Sequence, residues 1–195
     1  MHVFIVYAHP SEDSFTRHIR DTFIAGLKSA GHSYEISDLY KMNFLTDMSE
    51  EEYQREAYCR KDLPVPADVA AEQEKIKRCD TVVFIFPLFW TDAPAKLVGW
   101  FDRVWTFGFA YGENRTMKTL EKGLVLCSAG NTMEYFHRTG ILGALEKVML
   151  DDRLYDRVKT KELIILDGTE RSTPLREQNW KTHLEKVFQA GAQIC

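Results

Sequence analysis

An unbroken apolar run at residues 81–86 constrains the fold more than any other segment of this 195-residue chain. Its sequence, TVVFIF, is β-branched and aromatic, and it is too short for a helix that spans a membrane. Such a run is typical of a strand covered on both faces, which occurs in parallel sheets with helices on each side. Pro87 ends the strand, and the next helical pattern begins only at Pro94.

Strand patterns and helix patterns also alternate along the rest of the chain. Further strands are predicted at 2–7, 34–39, 122–127 and 161–166, and helices at 15–29, 68–78, 94–105, 135–150 and 175–190. Parallel neighbours need a crossover, and right-handed crossovers place helices on both faces of the sheet. The prediction is a three-layer α/β fold, with a doubly wound five-stranded parallel sheet in the flavodoxin-like order 2-1-3-4-5. A dinucleotide-binding Rossmann domain is disfavoured because no GxGxxG follows any strand.

Composition limits the kinds of partner that this chain is expected to bind. The net charge is only −4 and the Lys and Arg residues are scattered, which disfavours a nucleic-acid groove or binding to an anionic membrane. No apolar run approaches the length of a membrane span, and the N-terminus passes straight into a strand without a basic leader. A cytoplasmic protein with one domain over residues 1–195, no nucleic-acid partner and no membrane insertion is expected.

The four cysteines, Cys59, Cys79, Cys127 and Cys195, show neither CxxC nor His/Cys spacing, so no metal site is predicted. Cys79 and Cys127 fall beside or inside predicted strands and are expected to be buried thiols. Cys195 is expected to be exposed and oxidisable.

Leu88, Phe89 and Trp90 form a bulky apolar triplet on the loop between a strand and a helix. In an open parallel sheet, such loops lie at the carboxyl ends of the strands, where ligands bind. A planar apolar surface there suits a planar conjugated ligand such as a flavin. Ordinary core packing is the alternative, and it is preferred for Trp100, Phe101 and Trp105 because their helical spacing is typical of packing.

The loop after the first strand has the features of an anion site. His9 stands at the strand tip, and a helix begins near Ser14, where free N–H groups and a partial positive charge favour phosphate. Ser11, Ser14 and Thr16 can add hydroxyl donors. Helix capping by Asp13 or Ser14 is the simpler alternative and is compatible with phosphate binding.

A turn of small residues, Ser128, Ala129 and Gly130, follows the fourth strand. Small residues let the backbone approach a ligand closely. Tyr135 and His137 come next, at the start of a helical pattern, where His137 on its own is typical of a solvent-facing side chain.

These segments resemble the NAD(P)H:quinone oxidoreductase family. Its patterns Pro-Leu-x-Trp, Pro-Ala, Gly-Trp-Phe-(Asp/Glu)-Arg-Val and Phe-Ala-Tyr appear at residues 87–90, 94–95, 99–104 and 109–111. Ala-His and Ser-Phe-Thr at 8–9 and 14–16 match the family's pyrophosphate loop, and 128–130 corresponds to its Thr-Gly-Gly turn. Thr173-Pro174 with Arg176 resembles its C-terminal block.

The resemblance implies a set of site residues. Tyr135 is in the position of the family's active-site tyrosine, while Ile141 replaces its histidine and His137 is the substitute. The implied cofactor-binding residues are His9, Ser14, Phe15, Thr16, Pro87, Leu88, Phe89, Trp90, Ser128, Ala129, Gly130, Tyr135 and Arg176. Tyr135 and His137 are the implied catalytic pair, and the substrate pocket comprises Phe89, Trp90, Gly130 and, from a second subunit, Tyr111.

The resemblance also implies a function: a homodimeric flavoprotein that takes hydride from NADH or NADPH and passes two electrons to a quinone or similar small acceptor. FAD is the expected flavin and FMN the alternative. Two other functions remain open on the same fold, an azo- or nitroreductase and an ancillary regulatory subunit of a potassium efflux system.

Overall fold

Five parallel strands form one sheet in the computed structural model, which describes residues 1–170 and 176–194. The order is β2-β1-β3-β4-β5, which confirms the prediction. The strands are β1 His2–Tyr7, β2 Ser33–Asp38, β3 Thr81–Pro87, β4 Leu120–Ser128 and β5 Val158–Leu166.

Helices connect successive strands and cover both faces of the sheet. Within the described residues they are α1 Phe15–Ser29, α2 Glu50–Ala57, α3 Ala67–Arg78, α4 Ala95–Val104, α5 Met133–Thr139, α6 Ile141–Glu146, a π-helix Lys147–Leu154 and α7 Arg176–Ala192. None of these helices is long and apolar enough to cross a membrane. The prediction of an exposed Cys195 falls outside the described residues, and one domain over the whole chain stays a prediction.

The central strand β3 is buried along its whole length. Val83 and Ile85 face the core beneath α1 and α7, while Phe84 joins the opposite core, with Trp100 of α4. Burial of each such side chain contributes about 1.5–3 kcal/mol. Trp100, Phe101 and Trp105 are 0%, 5% and 8% exposed, so the core interpretation is confirmed for all three.

One position shows why α1 and α7 can pack so closely. A Cβ atom built on Gly26 would lie 2.2 Å from the backbone oxygen of Phe188. A side chain at this point would push the two helices apart.

The segment between β2 and α3 is fixed by a buried ion cluster. Ser49 caps α2, with Glu52 completing a capping box, and Glu52 also accepts a 2.8 Å hydrogen bond from Arg103 Nε. Arg103 donates to Asp68 as well, at 2.6 Å. Burial alone would raise the pKa of Asp68, but the Arg103 guanidinium holds it below its ordinary value.

A continuous helix over 135–150 was the wrong prediction. Thr132 caps a helix that begins at Met133, and Gly140 ends it with a left-handed φ of 74°. The chain then continues as α6 and the π-helix, which stops at Tyr155, where φ is 39°. The apolar spacing runs on through this region, so the pattern alone hid the break at Gly140.

Two cysteine predictions are confirmed. Cys79 and Cys127 are buried, and burial raises the pKa of each thiol to about 12. Both therefore stay protonated and unreactive at neutral pH.

Candidate functional site

A cleft of about 750 Å³ opens at the carboxyl edge of the sheet. It brings together seven of the residues expected in the site: His9, Ser14, Phe15, Thr16, Pro87, Ser128 and Arg176. They come from the carboxyl ends of three strands and from the starts of α1 and α7. The convergence follows from parallel pairing, which places the carboxyl ends of all strands at one edge.

The start of α1 points free donors into this region. Ser14 is the N-cap, and its hydroxyl oxygen accepts from Arg17 N–H at 3.1 Å. The amides of Phe15 and Thr16, in the first turn, have no acceptor in the described part of the chain. Capping and anion binding are therefore compatible, since different N–H groups serve them.

The setting of His9 favours its neutral form. Burial lowers the pKa of its imidazole, although the backbone oxygen of Ser11 partly opposes this. Nδ1 lies 2.9 Å from both the N–H and the backbone oxygen of Ser11, so its role depends on the tautomer. When Nδ1 accepts from the N–H, the ring proton is on Nε2, and His9 can donate a hydrogen bond to a ligand.

The first loop and the turn after β4 are joined by a buried hydrogen bond of 2.9 Å between the hydroxyls of Thr16 and Ser128. Ala129 N–H donates to Leu166 O at 2.9 Å, so this amide is already used. Gly130 N–H has no acceptor within the described residues. Of the two amides in this turn, Gly130 offers the free donor.

Phe89 to Asp92 form a tight turn, closed by N–H to O bonds of 3.0 and 3.2 Å in the two directions. Trp90 has a φ of 59° and its side chain is 99% exposed. A non-glycine residue in this conformation is strained and persists only where its surroundings impose it. Arg153 holds the turn from the π-helix through a 2.8 Å ion pair with Asp92.

Phe89 is also exposed, at 45%, so neither it nor Trp90 is a core residue. Together with Leu88, which is half-buried against the core, they form an apolar ledge directly after β3. None of the three lines the cleft described above.

Tyr135 and His137 differ in exposure. Tyr135 is half-buried and packs against the core, with its ring 6.0 Å from that of Phe136. Its hydroxyl has no hydrogen-bond partner in the described chain. His137 is exposed, as expected for a solvent-facing side chain, and neither residue lines the cleft.

Tyr111 lies far from the cleft within one chain. Its hydroxyl donates to Glu56 Oε2 at 2.8 Å, and burial together with this carboxylate raises the pKa of the phenol. It lines a pocket with Asp156 and Arg157, which immediately precede β5 and so lie at the amino edge. Since β4 has nine residues, the two edges are about 26 Å apart.

Ser11, named from the sequence as a possible hydroxyl donor, lines the cleft, and so do five residues to which the sequence assigned no ligand contact: Asp13, His18, Thr169, Glu170 and Trp180. Thr169 and Glu170 follow β5, so the rule that ligands meet the carboxyl ends of strands could have found them. The Arg176 guanidinium lies 4.2 Å from the Trp180 ring centre, and Trp180 stacks on Phe15 at 4.5 Å. Thr173 and Pro174 fall outside the described residues.

The charges in the cleft are mixed. Arg176 supplies a cation, whose Nε is buried and unpartnered in the described chain, as is Trp180 Nε1. Asp13 and Glu170 bring negative charge to the same opening. A phosphate would therefore be held by amides and Arg176 rather than by net positive charge.

Comparison with known proteins supports the fold. A family model described as a flavodoxin-like fold matches residues 1–160. A solved NAD(P)H:quinone oxidoreductase from Methanothermobacter marburgensis is 45% identical, covering 100% of this chain and 96% of its own, with a TM-score of 0.94.

Two curated relatives are similar to this chain over a smaller part of its length. The ribosyldihydronicotinamide dehydrogenase-like protein traD of Penicillium crustosum is 32% identical over 175 residues, 76% of this chain and 65% of that protein. The ribosyldihydronicotinamide dehydrogenase (quinone) of Homo sapiens is 31% identical over 72% of this chain and 68% of that protein. The chain thus spans about two thirds of their length, and it belongs to the flavodoxin-like family that includes the NAD(P)H:quinone oxidoreductases.

Proposed function

We propose that the chain is a flavin-dependent NAD(P)H:quinone oxidoreductase. The observation that carries this proposal is the pairing, at one edge of the sheet, of a helix start with free amides and an exposed, strained aromatic turn. One suits a phosphate group and the other a flat conjugated ring. The 45% identity with a solved quinone oxidoreductase over the whole chain supports the same function.

The residues present fit a flavin. Phe15 N–H, Thr16 N–H and the buried Arg176 Nε are donors without acceptors among the described residues, which suits a pyrophosphate. Gly130 N–H is a fourth, and its small turn leaves room for a ring. Among the residues that the structure describes, a Cβ on Gly130 would meet Glu170 alone, at 3.6 Å.

Each group has a distinct task in this proposal. The start of α1, His9 and Arg176 hold the phosphates, and Phe89 with Trp90 supports the ring. When bound, a flavin accepts hydride from the nicotinamide and delivers two electrons to an acceptor, chemistry that no side chain supplies. Gly130 N–H and Tyr135 Oη–H would donate hydrogen bonds to a bound flavin, where fixed donors stabilise negative charge without reorganising.

FAD is the proposed form of the cofactor, in preference to FMN. The cleft continues past the start of α1 to His18 and Trp180, whose rings offer an aromatic surface beyond the phosphate-binding amides. FMN has no group to occupy that surface. Release of the bound flavin by heat, followed by mass spectrometry, decides between them, and FMN alone would refute this choice.

A homodimer completes the proposed site. Tyr111 lies at the amino edge and cannot reach a ring bound at the carboxyl edge of its own chain, so only a second copy can bring it there. The phenol would close the pocket over Phe89 and Trp90. Light scattering of the active protein at micromolar concentration should give twice the chain mass.

The catalytic cycle is expected to be ping-pong. One apolar ledge on one face of a ring cannot hold nicotinamide and quinone together, so the first product must leave before the acceptor binds. Initial rates measured across both substrates should give parallel reciprocal lines.

The deciding experiment follows NADH and NADPH oxidation by the purified yellow protein, with menadione, an azo dye and a nitroaromatic compound as alternative acceptors. The proposal expects menadione to give the highest kcat/KM. A colourless protein without flavin, or a flavoprotein that reduces none of the three, would overturn it. A preference for the azo dye would make the chain an azoreductase.

A further inference from the structure

A second pocket, of about 420 Å³, opens at the amino edge of the sheet, beside the starts of β4 and β5. We refer to it as the amino-edge pocket. Its lining includes Tyr111, Arg115, Tyr155, Asp156 and Arg157. None of these residues contributes to the cleft at the carboxyl edge.

Arg157 is an unusual residue in this pocket because it is 9% exposed yet forms no ion pair with a carboxylate in the described chain. Its Nη1 donates to Asp152 O at 3.0 Å, its guanidinium lies 5.6 Å from the Trp105 ring centre, and its buried Nε has no partner. Burial lowers the pKa of the Arg157 guanidinium. Buried charges in proteins are normally paired, so this arrangement lacks an anion.

Asp156 and Asp152 attract the Arg157 guanidinium electrostatically, but among the described residues neither carboxylate forms an ion pair with it. Asp156 is engaged by Arg115, which contacts its carboxylate and donates to its backbone oxygen at 2.8 Å. The two charges of this pair balance each other. The positive charge of Arg157 thus remains without an ion-pair partner in the described part of the chain.

Two tyrosines add flat surfaces beside this charge. Tyr155 is 60% exposed, and its φ of 39° is positive, which is rare for a non-glycine residue. Tyr111 is 39% exposed on the same pocket. An exposed aromatic ring held in such a conformation is typical of a ligand contact.

We propose that the amino-edge pocket binds the anionic group of a small planar molecule, with Arg157 as the charge partner and the Tyr111 and Tyr155 rings as its apolar walls. Carboxylate, sulfonate and phosphate all have the required charge and acceptor oxygens. The binding site is formed by one chain.

The identity of that molecule as the electron acceptor rests on the proposed function. In the proposed dimer, Tyr111 of one copy faces the ring bound to the other, so Arg157 beside it would select acceptors that carry an acidic substituent. The 2′-phosphate of NADPH is the other source of the same chemistry, and the experiment separates the two.

Binding is tested by calorimetry on the purified protein with its own cofactor and no reductant. The probes are anthraquinone-2-sulfonate and its uncharged analogue 2-(hydroxymethyl)anthraquinone, followed by NADP⁺ and NAD⁺. We expect the sulfonate to bind about tenfold more tightly than the uncharged analogue, a difference of about 1.4 kcal/mol. Arg157→Met should remove this preference, and Arg157→Lys should retain part of it.

Arg78→Gln is the matched control. It removes one arginine charge that is also at the amino edge but is 56% exposed and paired with Glu35 on the outer strand β2, so it should leave the preference unchanged. Melting temperatures of all variants establish that they fold. Should Arg157→Met not fold, Arg157→Gln replaces it.

Equal affinity of the two anthraquinones and of the two nucleotides would overturn the proposal, as would a preference that survives Arg157→Met. A preference for NADP⁺ over NAD⁺ that depends on Arg157, without discrimination between the anthraquinones, would support the anion site and overturn its assignment to the acceptor. Because no turnover is measured, a protein that proves to have no reductase activity can still pass or fail this test.

Discussion

Trp90→Gly is expected to stabilise the protein while weakening its binding of a flat ring, because the Trp90 backbone is strained and its side chain contacts almost nothing. The side chain is 99% exposed, so its removal forfeits little packing. The φ of 59° costs a non-glycine residue roughly 1–2 kcal/mol, and glycine adopts it freely.

Glycine also loosens the unfolded chain, which offsets about 0.4–1 kcal/mol of that gain. The net effect is a stabilisation of about 0.5–1 kcal/mol, or roughly 1–4 °C in the melting temperature of a domain of this size. Urea unfolding of the flavin-free protein measures it directly. Trp100→Ala, on the buried face of α4, should instead cost about 3–5 kcal/mol.

Ligand affinity should change in the opposite direction to stability. If the Trp90 indole supports a ring, Trp90→Gly weakens flavin or acceptor binding about tenfold, equivalent to about 1.4 kcal/mol. Trp90→Phe should retain most of the affinity. A loss of more than about 2 kcal/mol in the stability of the flavin-free glycine variant would show that Trp90 is a packing residue, and the reasoning would fail.

Three further outcomes are expected. Gly26→Ala should destabilise the fold by about 1–3 kcal/mol in urea unfolding, because the added Cβ meets the α7 backbone. Gly143→Ala, which adds a Cβ in open space, should be neutral or stabilising by up to about 1 kcal/mol. Equal effects of the two substitutions would contradict this. Tyr135→Phe should leave flavin binding intact and slow hydride uptake from NADPH roughly tenfold in stopped flow. Substitution of the exposed His137 by Ala should slow hydride uptake less. A larger effect of His137→Ala would assign the role to His137 instead of Tyr135. Cys79, whose pKa burial raises to about 12, should resist iodoacetamide at pH 8 until the protein is unfolded, as mass spectrometry can follow.

The sequence predicted the sheet well because its signals were local and strong. The apolar run of β3 and the alternation of strands with helices indicate a parallel sheet with helices on both faces. The order 2-1-3-4-5 was preferred to that of a Rossmann domain because no GxGxxG follows any strand. The segment after β4 was harder. Gly140 reads as one more helical residue until its φ of 74° is known, and the wide turn of the π-helix that follows has no distinct spacing.

Residues of the candidate site were predictable where they follow or end a strand, because ligands bind at the carboxyl ends of parallel strands. His9, Pro87 and Ser128 follow or end strands, and all three line the cleft. Trp180 and His18 come from helices, where a strand-end rule gives no information. Their contribution depends on how α7 packs on α1, which a single sequence does not reveal.

Arg157 could not have been singled out from the sequence, since one arginine before a strand has no pattern. It stands out only in the structure, where its guanidinium is buried, its Nε has no hydrogen-bond partner and no carboxylate of the described residues forms an ion pair with it. The amino-edge pocket and the carboxyl-edge cleft lie at opposite ends of one sheet, about 26 Å apart along β4. A single chain cannot place both against one ligand. A two-fold dimer with opposed sheets can do so, and it forms the composite site twice because each edge of one copy meets the other edge of its partner. The strained turn at Trp90 and the unpaired Arg157 would then be two halves of the same site, and breaking the dimer would separate ring binding from anion binding without abolishing either.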